Sequence, residues 1–254
     1  IARHFDIGLC ENAILFTSIS GPFAFYRGFS KGLIMDLNHI ATLFEQRREQ
    51  HTLPQALYTE PYSFDFDMAA VFAESWLMVG LECELPKTGS YVSMMVGKWP
   101  VVITRDKEST IRAFHNSCRH RGSMICAVGN GTSPKLVCPY HGWAYEKDGR
   151  LTGVPGKADY TSLDMSKLGL IPVECETWRG FIFVRLESQG PSVAEMMAPY
   201  EAMVAPYRFE EMTAFGRVTL RHRTVNWKNV ADNYSDGLHI PVAHPGLTRL
   251  FGRS

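Results

Sequence analysis

The sequence lacks several features that define large classes of proteins. It has no apolar run of the roughly 18 residues that a membrane-spanning helix needs, since the longest candidate, residues 13–26, is interrupted by polar residues, glycine and proline. No basic segment precedes that run, so we do not expect a signal peptide. The chain also lacks an excess of one charge, because Lys and Arg total 26, as do Asp and Glu. Without such an excess, binding to nucleic acid or to anionic lipid is not expected.

Cysteine is scarce as well. Six cysteines in 254 residues are too few for the dense disulfide framework of a small secreted protein. They indicate a reducing compartment, with some thiols free and others available to a metal, and they predict a cytoplasmic protein. What the chain does contain is an ordinary globular composition, 45% hydrophobic and 20% charged, which is enough for a sizeable core. The cysteines are Cys10, Cys83, Cys118, Cys126, Cys138 and Cys175.

Hydrophobic periodicity separates helical parts from a β-rich part. A helix is predicted from Asp36, as N-cap, to residues 46–48, and further helices at 65–77, 192–205 and 227–239. Short runs rich in Val, Ile and Phe, separated by turn formers, predict a small antiparallel, sandwich-like β domain. Residues 215–225 alternate enough to form one further strand. The predicted strands of the β domain are 91–96, 101–105, 110–115, 135–137 and 181–186.

Two short segments each carry one cysteine and one histidine. Cys118 and His120 lie in the first, and after seventeen residues Cys138 and His141 lie in the second, with a glycine following each pair. Two Cys and two His can saturate one tetrahedral zinc ion, or they can hold a two-iron, two-sulfide cluster with both Cys on one iron and both His on the other. Zinc fingers usually group Cys with Cys and His with His. Mixed pairs suit two loops that clamp an elongated cluster, so the cluster is favoured and zinc remains the alternative.

A second constellation lies near residue 240. On a helix Asp236 and His239 share a face, but His244 lies about 140° away from His239. Pro241 disrupts a helix, which would let the chain turn back and bring both histidines to one ion. Two His and one carboxylate form the facial triad of non-haem iron(II) enzymes, which leaves positions open for dioxygen and substrate. Taken alone, such a set would be interpreted as solvated surface groups, so its assignment depends on the first motif.

The first motif, Cys-x-His-x17-Cys-x2-His with Pro139, Gly142 and Trp143, strongly resembles the Rieske iron–sulfur motif. Together the two motifs resemble the α (oxygenase) subunit of Rieske non-haem iron oxygenases, the ring-hydroxylating dioxygenases and their N-demethylating relatives. The resemblance runs from about Met35 to the last residue and is densest at 114–143 and 226–246.

The resemblance implies roles for seven residues. In addition to the four cluster ligands, it makes His239 and His244 ligands of a mononuclear Fe(II). It makes Asp236 a bridge that hydrogen-bonds His239 and the His141 of a neighbouring subunit. The family's third iron ligand is a downstream Asp, but residues 245–254 contain no Asp or Glu. Either Asp236 completes the triad or the chain is a fragment; we expect a fragment, which holds the cluster but binds mononuclear iron poorly.

The resemblance also separates two kinds of Rieske site. Ser123 and Tyr140 stand where the Rieske proteins of respiratory chains have two disulfide-forming cysteines. No disulfide is possible there, and hydroxyl donors to the cluster sulfurs are expected to be fewer. Because hydrogen bonds to the sulfurs raise the potential, we expect the low-potential, oxygenase type.

The expected protein is α+β, a small antiparallel β Rieske domain followed by the beginning of a helix-and-sheet catalytic domain. By resemblance it is a terminal oxygenase that takes electrons, ultimately from NAD(P)H, through a ferredoxin or flavin reductase, and forms a homotrimer or α3β3 assembly. Aromatic-ring dihydroxylation is the leading expectation. N-demethylation or monooxygenation of a small quaternary amine is the alternative, and a plain Rieske electron carrier is a further one. The expected divisions are 1–34 (an extension), 35–78 (helical), 79–188 (Rieske domain) and 189–254 (start of the catalytic domain).

Overall fold

In the part of the chain that the computed structural model describes, residues 37–160, 162–187, 190–213 and 223–251, ten antiparallel strands lie between short helices. The expected extension at 1–34 lies outside these residues. The strands are β1 (Leu77–Leu81), β2 (Ser90–Val96), β3 (Trp99–Arg105), β4 (Ile111–His115), β5 (Gly129–Thr132), β6 (Leu136–Val137), β7 (Ala144–Tyr145), β8 (Leu151–Gly153), β9 (Pro172–Trp178) and β10 (Phe181–Arg185).

Seven strands form one sheet in the order β1-β10-β9-β4-β3-β2-β5, and β6, β7 and β8 form a second. Strand β3 carries three consecutive buried residues, Val101, Val102 and Ile103. Since side chains alternate along a strand, Val102 packs with Cys118 and Cys138, whereas Val101 and Ile103 pack on the opposite face. The large sheet is therefore covered on both faces, and one face supports the Cys/His segments.

The packed group around those segments is called the loop core below. It combines residues from the large sheet, from the small sheet and from the loops between them, so both Cys/His segments rest on one apolar base. Its members are Val102, Phe114, Cys118, Ile125, Cys126, Leu136, Cys138, Trp143, Tyr145, Leu151 and Leu170.

The helices are short. The helix predicted to follow Asp36 is present. It begins at Leu37 and buries Ile40 and Leu43. No helix among the described residues is long and apolar enough to cross a membrane. The helices are α1 (Leu37–Glu45), α2 (Ala56–Thr59), α3 (Pro61–Phe66), α4 (Val193–Met197), α5 (Glu201–Val204), α6 (Trp227–Ser235), α7 (Ile240–Ala243) and α8 (Pro245–Phe251).

The single helix predicted at 65–77 is wrong at both ends. Helix α3 begins at Pro61, whose fixed φ suits a first helical turn, and it continues as a π-helical segment over Asp67–Phe72. Leu77 belongs to β1 and pairs with Val184 of β10. Pairing with β10 therefore determines that Leu77 is a strand residue. Local hydrophobic periodicity cannot predict a pairing with a strand so far away in the sequence.

The helix predicted at 192–205 exists in pieces. Ser192 caps α4 through a capping box with Glu195. Pro199 and Pro206 then occupy short 3₁₀ turns that interrupt the helix, because proline lacks the N–H that an α-helix needs. The predicted strand at 215–225 falls largely on residues 214–222, outside the described part.

The predicted strands of the β domain are all present within two residues of their expected ends. Strands β1, β5, β7, β8 and β9 were not predicted. β5, β7 and β8 are at most four residues long, and β5 contains two glycines. Neither their length nor their composition is therefore enough to identify them as strands from the sequence.

Two candidate metal-binding sites

The two Cys/His segments fold into loops with the same backbone pattern. The carbonyl of Cys118 accepts the N–H of Gly122 at 2.8 Å, and the carbonyl of Cys138 accepts the N–H of Gly142 at 3.0 Å. Both glycines have positive φ, 73° and 71°, which disfavours any residue with a side chain. Each cysteine also donates its own N–H to the carbonyl five residues further on. Both thiols thereby sit at the base of a tight turn.

The four candidate ligands come together between these loops. Cys118 and Cys138 are 3% and 2% exposed. The rings of His120 and His141 lie 4.5 Å apart, centroid to centroid, and His120 stacks on Trp143 at 5.0 Å. Nδ1 of His120 is buried and has no hydrogen-bond partner among the described residues. A buried ring nitrogen without a partner is costly unless a metal takes the position.

Electrostatics favour the ligand forms of two of these residues. Burial, then the neighbouring His141 and Arg121, lower the pKa of His120, which keeps the ring neutral. Burial raises the pKa of Cys138, but N–H donation from Tyr140 and His141, with hydrogen bonds to other side chains, outweighs it and the pKa falls. A lower thiol pKa increases the thiolate fraction, which is the form that binds iron.

The arrangement fits a two-iron cluster better than one zinc ion. Among the described residues, no three His, Cys, Asp or Glu side chains gather closely enough to hold a single ion. Tetrahedral zinc needs four donors around one point, whereas a two-iron cluster needs two donors at each iron. Two paired thiols, two paired imidazoles and the unpartnered Nδ1 of His120 match the second requirement.

Sequence reasoning missed Tyr145 of β7. This fully buried side chain places its hydroxyl 3.3 Å from Sγ of Cys118 and accepts the N–H of Arg119 at 3.1 Å. Burial and the Cys118 thiol raise the pKa of Tyr145, so the phenol keeps its proton. The side chain of Ser123 also hydrogen-bonds the Cys138 thiol. The expectation of few hydroxyl donors was therefore incomplete, and a tyrosine two residues after Trp143 was the available signal.

Asn116 was also missed, and it holds the first loop in place. Its Nδ2 donates to the Cys126 carbonyl at 2.7 Å and to Oγ of Ser93 at 2.8 Å, while its Oδ1 accepts the N–H groups of Ile125 and Cys126 at 3.0 Å. All four hydrogen bonds are buried, so the Asn116 side chain satisfies backbone groups of the loop that make no regular backbone–backbone hydrogen bonds. Cys126 is buried and forms no disulfide with any described cysteine.

The second site begins with α6, which is fastened to the N-terminal helices. Asn226 caps α6 by accepting the N–H of Lys228, and it donates to the Tyr58 carbonyl at 3.0 Å. The Tyr58 hydroxyl donates to Oδ2 of Asp232 at 2.7 Å. The carboxylate of Asp232 is thus engaged in a hydrogen bond with Tyr58.

A buried ion pair makes the strongest of these attachments. Lys228 of α6 and Asp67 are 8% and 6% exposed and form a hydrogen-bonded ion pair. Nε1 of Trp227 donates to the same Asp67 carboxylate at 2.9 Å. Two donors from one helical turn therefore fix the rotation of α6 against the segment at Asp67.

Beyond α6 the structure brings the three candidate residues together. The Asp236 carboxylate accepts the N–H of Leu238 at 2.8 Å and lies 3.2 Å from Nδ1 of His239. The rings of His239 and His244 are 5.2 Å apart. The Leu238 N–H, more than His239, lowers the pKa of Asp236. A carboxylate bound to Nδ1 orients the ring and leaves Nε2 for a metal, which favours the bridging role over a third-ligand role.

The position of the bend differs from the prediction. Helix α6 ends at Ser235, and Asp236 has extended dihedrals, so the turn occurs over 236–239. Pro241 lies in the first turn of α7, where proline is well accommodated. Pro241 therefore starts a new helix and does not create the bend. The surrounding apolar side chains Leu238 and Val242 are 90% and 86% exposed.

Comparison with known families matches residues 75–169 to the Rieske [2Fe-2S] domain and residues 209–254 to the ring hydroxylating alpha subunit (catalytic domain). The chain is 38% identical to the glycine betaine monooxygenase oxygenase subunit of Chromohalobacter salexigens over 82% of this chain and 46% of the relative. It spans about half the length of the curated relatives it matches.

Two solved structures are similar to this one. A quaternary ammonium Rieske monooxygenase in complex with L-carnitine has a TM-score of 0.72 at 29% identity and covers 77% of this chain and 56% of its own. Naphthalene 1,2-dioxygenase from Rhodococcus sp. has a TM-score of 0.73 at 28% identity, covering 80% and 48%. The two motifs, their geometry and these matches agree: the chain belongs to the Rieske non-haem iron oxygenase α subunits.

Proposed function

We propose that the protein is the terminal oxygenase of a Rieske monooxygenase system that oxidises a small quaternary amine with dioxygen. The observation that carries this proposal is the presence in one chain of the Cys/His loops and of the Asp236–His239–His244 segment. A plain electron carrier has no use for the second of these. The proposed domains remain 35–78, 79–188 and 189–254. The proposed compartment is the cytoplasm, because the five cysteines among the described residues form no disulfide, which suits a reducing environment.

In this proposal Cys118, His120, Cys138 and His141 hold a [2Fe-2S] cluster. The cluster supplies storage of a single electron, received from a ferredoxin or flavin reductase and ultimately from NAD(P)H. The loops keep water away from both thiols, and Trp143 fixes the plane of the His120 ring by stacking on it. His141 is exposed, unlike His120, and so gives a route for the electron to leave.

In the full-length protein His239 and His244 would supply two ligands of a mononuclear Fe(II), which would provide the site for dioxygen chemistry beside the substrate. Asp236 orients His239 through Nδ1, which leaves Nε2 free to bind the metal. Asp236 is 49% exposed at its side chain, which leaves it accessible to the His141 of a neighbouring subunit. A homotrimer or α3β3 assembly, with the cluster of one subunit serving the iron of the next, is therefore part of the proposal.

The substrate proposal rests on the relatives. Glycine betaine and carnitine monooxygenase subunits are among the curated proteins that match at 32% to 38% identity. This supports the quaternary-amine alternative over aromatic-ring dihydroxylation, which was the leading expectation from the sequence. The likeness to naphthalene 1,2-dioxygenase keeps ring dihydroxylation as the second candidate.

The test uses the full-length protein with its reductase and an NAD(P)H supply. Dioxygen uptake and product formation are measured with glycine betaine, carnitine, choline and naphthalene. We expect stoichiometric uptake and product with one or more quaternary amines and none with naphthalene. Product from naphthalene alone would favour the second candidate, and a reducible cluster without dioxygen uptake on any substrate would point to an electron carrier.

A further inference from the structure

Among the described residues, two buried side-chain nitrogen or oxygen atoms have no hydrogen-bond partner, Nδ1 of His120 and Nζ of Lys147. The iron–sulfur cluster accounts for the first. The second has no part in the function proposed so far, although Lys147 is only 4% exposed. Burying an ammonium group without a counter-charge is costly, so its position calls for a partner.

Lys147 lies beside the loop core. It follows β7 by two residues, and its carbonyl accepts the Thr104 hydroxyl at 2.7 Å, which fixes the backbone. Its Nζ lies 4.6 Å from the ring centroid of Tyr91. Tyr91 in turn packs against the loop core, which contains Cys118 and Cys138. The ammonium is therefore held next to the base on which both candidate thiolate ligands rest.

The groups that face Lys147 do not neutralise it. Tyr91 on β2 offers the face of its ring, and Cys126, in the loop after β4, offers a thiol whose pKa is raised by burial and which stays protonated at neutral pH. A ring face attracts a cation only weakly compared with a carboxylate. Neither group supplies the missing negative charge.

The adjacent carboxylates are committed to other cations. Glu146 pairs with Lys107 and Lys135, and Asp148 pairs with Arg150. Burial lowers the pKa of Lys147 to about 8. A small change in the local electrostatic potential is therefore enough to decide whether this amine carries its proton.

We propose that Lys147 is a buried counter-charge for the iron–sulfur cluster: its ammonium stabilises the reduced state, and at alkaline pH, where the amine is neutral, it takes up a proton from solvent as the cluster accepts an electron. The inference rests on the proposed function. Two ferric ions, two sulfides and two thiolates carry no net charge, and the electron delivered by the reductase or ferredoxin leaves one negative charge on the cluster. At neutral pH the ammonium that is already present faces that charge; at alkaline pH the amine gains a proton from solvent, and no other bond forms or breaks.

The coupling is reciprocal, so a protonated Lys147 favours the reduced cluster and raises its reduction potential. Below the pKa of Lys147 the ammonium is present in both redox states and the potential is at its higher value. As the pH rises through that pKa, the oxidised protein loses the charge first, and the potential falls. Lys147 acts through the electrostatic potential and touches neither substrate nor iron, so it is a positioning residue of the electron-transfer site.

The test is an anaerobic redox titration of the cluster-loaded protein at pH values on both sides of the Lys147 pKa. Wild type, Lys147→Met, Lys147→Arg and the control Lys107→Met are compared; the Lys107 side chain is 78% exposed and lies on a neighbouring turn. Any titration of the ligand histidines is common to all four proteins, so the differences between variants carry the information.

We expect Lys147→Met to lower the potential at neutral pH and to remove the component of the pH dependence centred on the lysine. Lys147→Arg keeps the higher potential above the pH at which the wild type has fallen, and Lys107→Met behaves as wild type. Coinciding curves for wild type, Lys147→Met and Lys147→Arg would overturn the counter-charge proposal alone. A wild-type protein without the visible spectrum of a Rieske cluster would overturn the proposed function and this inference together. If Lys147→Met fails to fold, the contrast between wild type and Lys147→Arg decides.

Discussion

The cluster loops and the iron segment are built in opposite ways. The loops at Cys118 and Cys138 are closed by hydrogen bonds within a few residues and rest on a buried apolar core. Among the described residues, the segment from Asp236 to His244 is attached to the rest of the fold through α6, by contacts to residues more than 150 positions away, and its apolar side chains are largely exposed. Short-range hydrogen bonds and a core built within one domain shape the first site, whereas the second depends on contacts to residues much farther away in the sequence.

The largest expected effect follows from removing a loop ligand. Cys138→Ser replaces the thiolate with a group that binds iron poorly, so the visible absorption and the acid-labile sulfide should disappear. Cys126→Ala is the matched control, since that cysteine is also buried and is not a proposed ligand; it should retain both signals. A fully coloured Cys138→Ser protein would remove Cys138 from the site.

Breaking the Asp67–Lys228 ion pair should weaken the attachment of α6 and leave the loops at Cys118 and Cys138 unchanged. Asp67→Asn leaves the buried ammonium of Lys228 without its counter-charge, and we expect a loss of about 3 kcal/mol in the free energy of unfolding. Urea titration measures this loss, while the absorption of the cluster should not change. The half-buried Asp65→Asn is the control.

A double variant sharpens that result. Asp67→Leu combined with Lys228→Met removes both charges, so most of the lost stability should return. If the double variant is as unstable as Asp67→Asn, the effect comes from packing and not from the unpaired charge.

A smaller effect is expected at the link between the two sites. Asp236→Asn loses the charge that orients His239, so turnover of the assembled oxygenase should fall about tenfold while the spectrum of the cluster stays the same. Single-turnover kinetics of cluster oxidation measure it. Asp232→Asn is the comparison, because its carboxylate bonds Tyr58 and should affect stability more than electron transfer. Normal turnover in Asp236→Asn would contradict the bridging role.

The smallest expected effect concerns Tyr145. Tyr145→Phe removes one donor to Cys118 and one acceptor for the Arg119 N–H, which should cost about 1 kcal/mol of stability. The reduction potential should fall as well, since hydrogen bonds to the sulfurs stabilise the reduced cluster. Tyr160→Phe, at an exposed position, is the control for both measurements.

The same contrast explains what the sequence could predict. The loops could be predicted because glycine, cysteine and histidine recur at short, fixed spacings. Strands β2 to β4 could be predicted because they are rich in hydrophobic residues. The position of the bend at Asp236 could not be predicted from the sequence, because it depends on a hydrogen bond from the Leu238 N–H and on how Pro241 starts α7. Residues a few positions apart have a predictable relative geometry, whereas contacts between residues separated by a whole domain cannot be predicted from their spacing.

Tyr145, Asn116 and Lys147 show a second limit. Each is a single residue in a strand or loop, without a partner nearby in the sequence. Their roles come from burial next to the loop core, which only the folded chain defines. The buried pair Asp67 and Lys228 was hidden for the same reason, since 161 positions separate its members.

The wide separation of Asp67 and Lys228 has a consequence for synthesis on the ribosome. At about 5–20 residues per second, Lys228 emerges on the order of ten seconds after Asp67, and the whole β domain is made in between. During that interval Asp67 and Tyr58 are exposed and have no partners on α6. The β domain therefore has time to fold before Asp67 and Tyr58 meet their partners on α6.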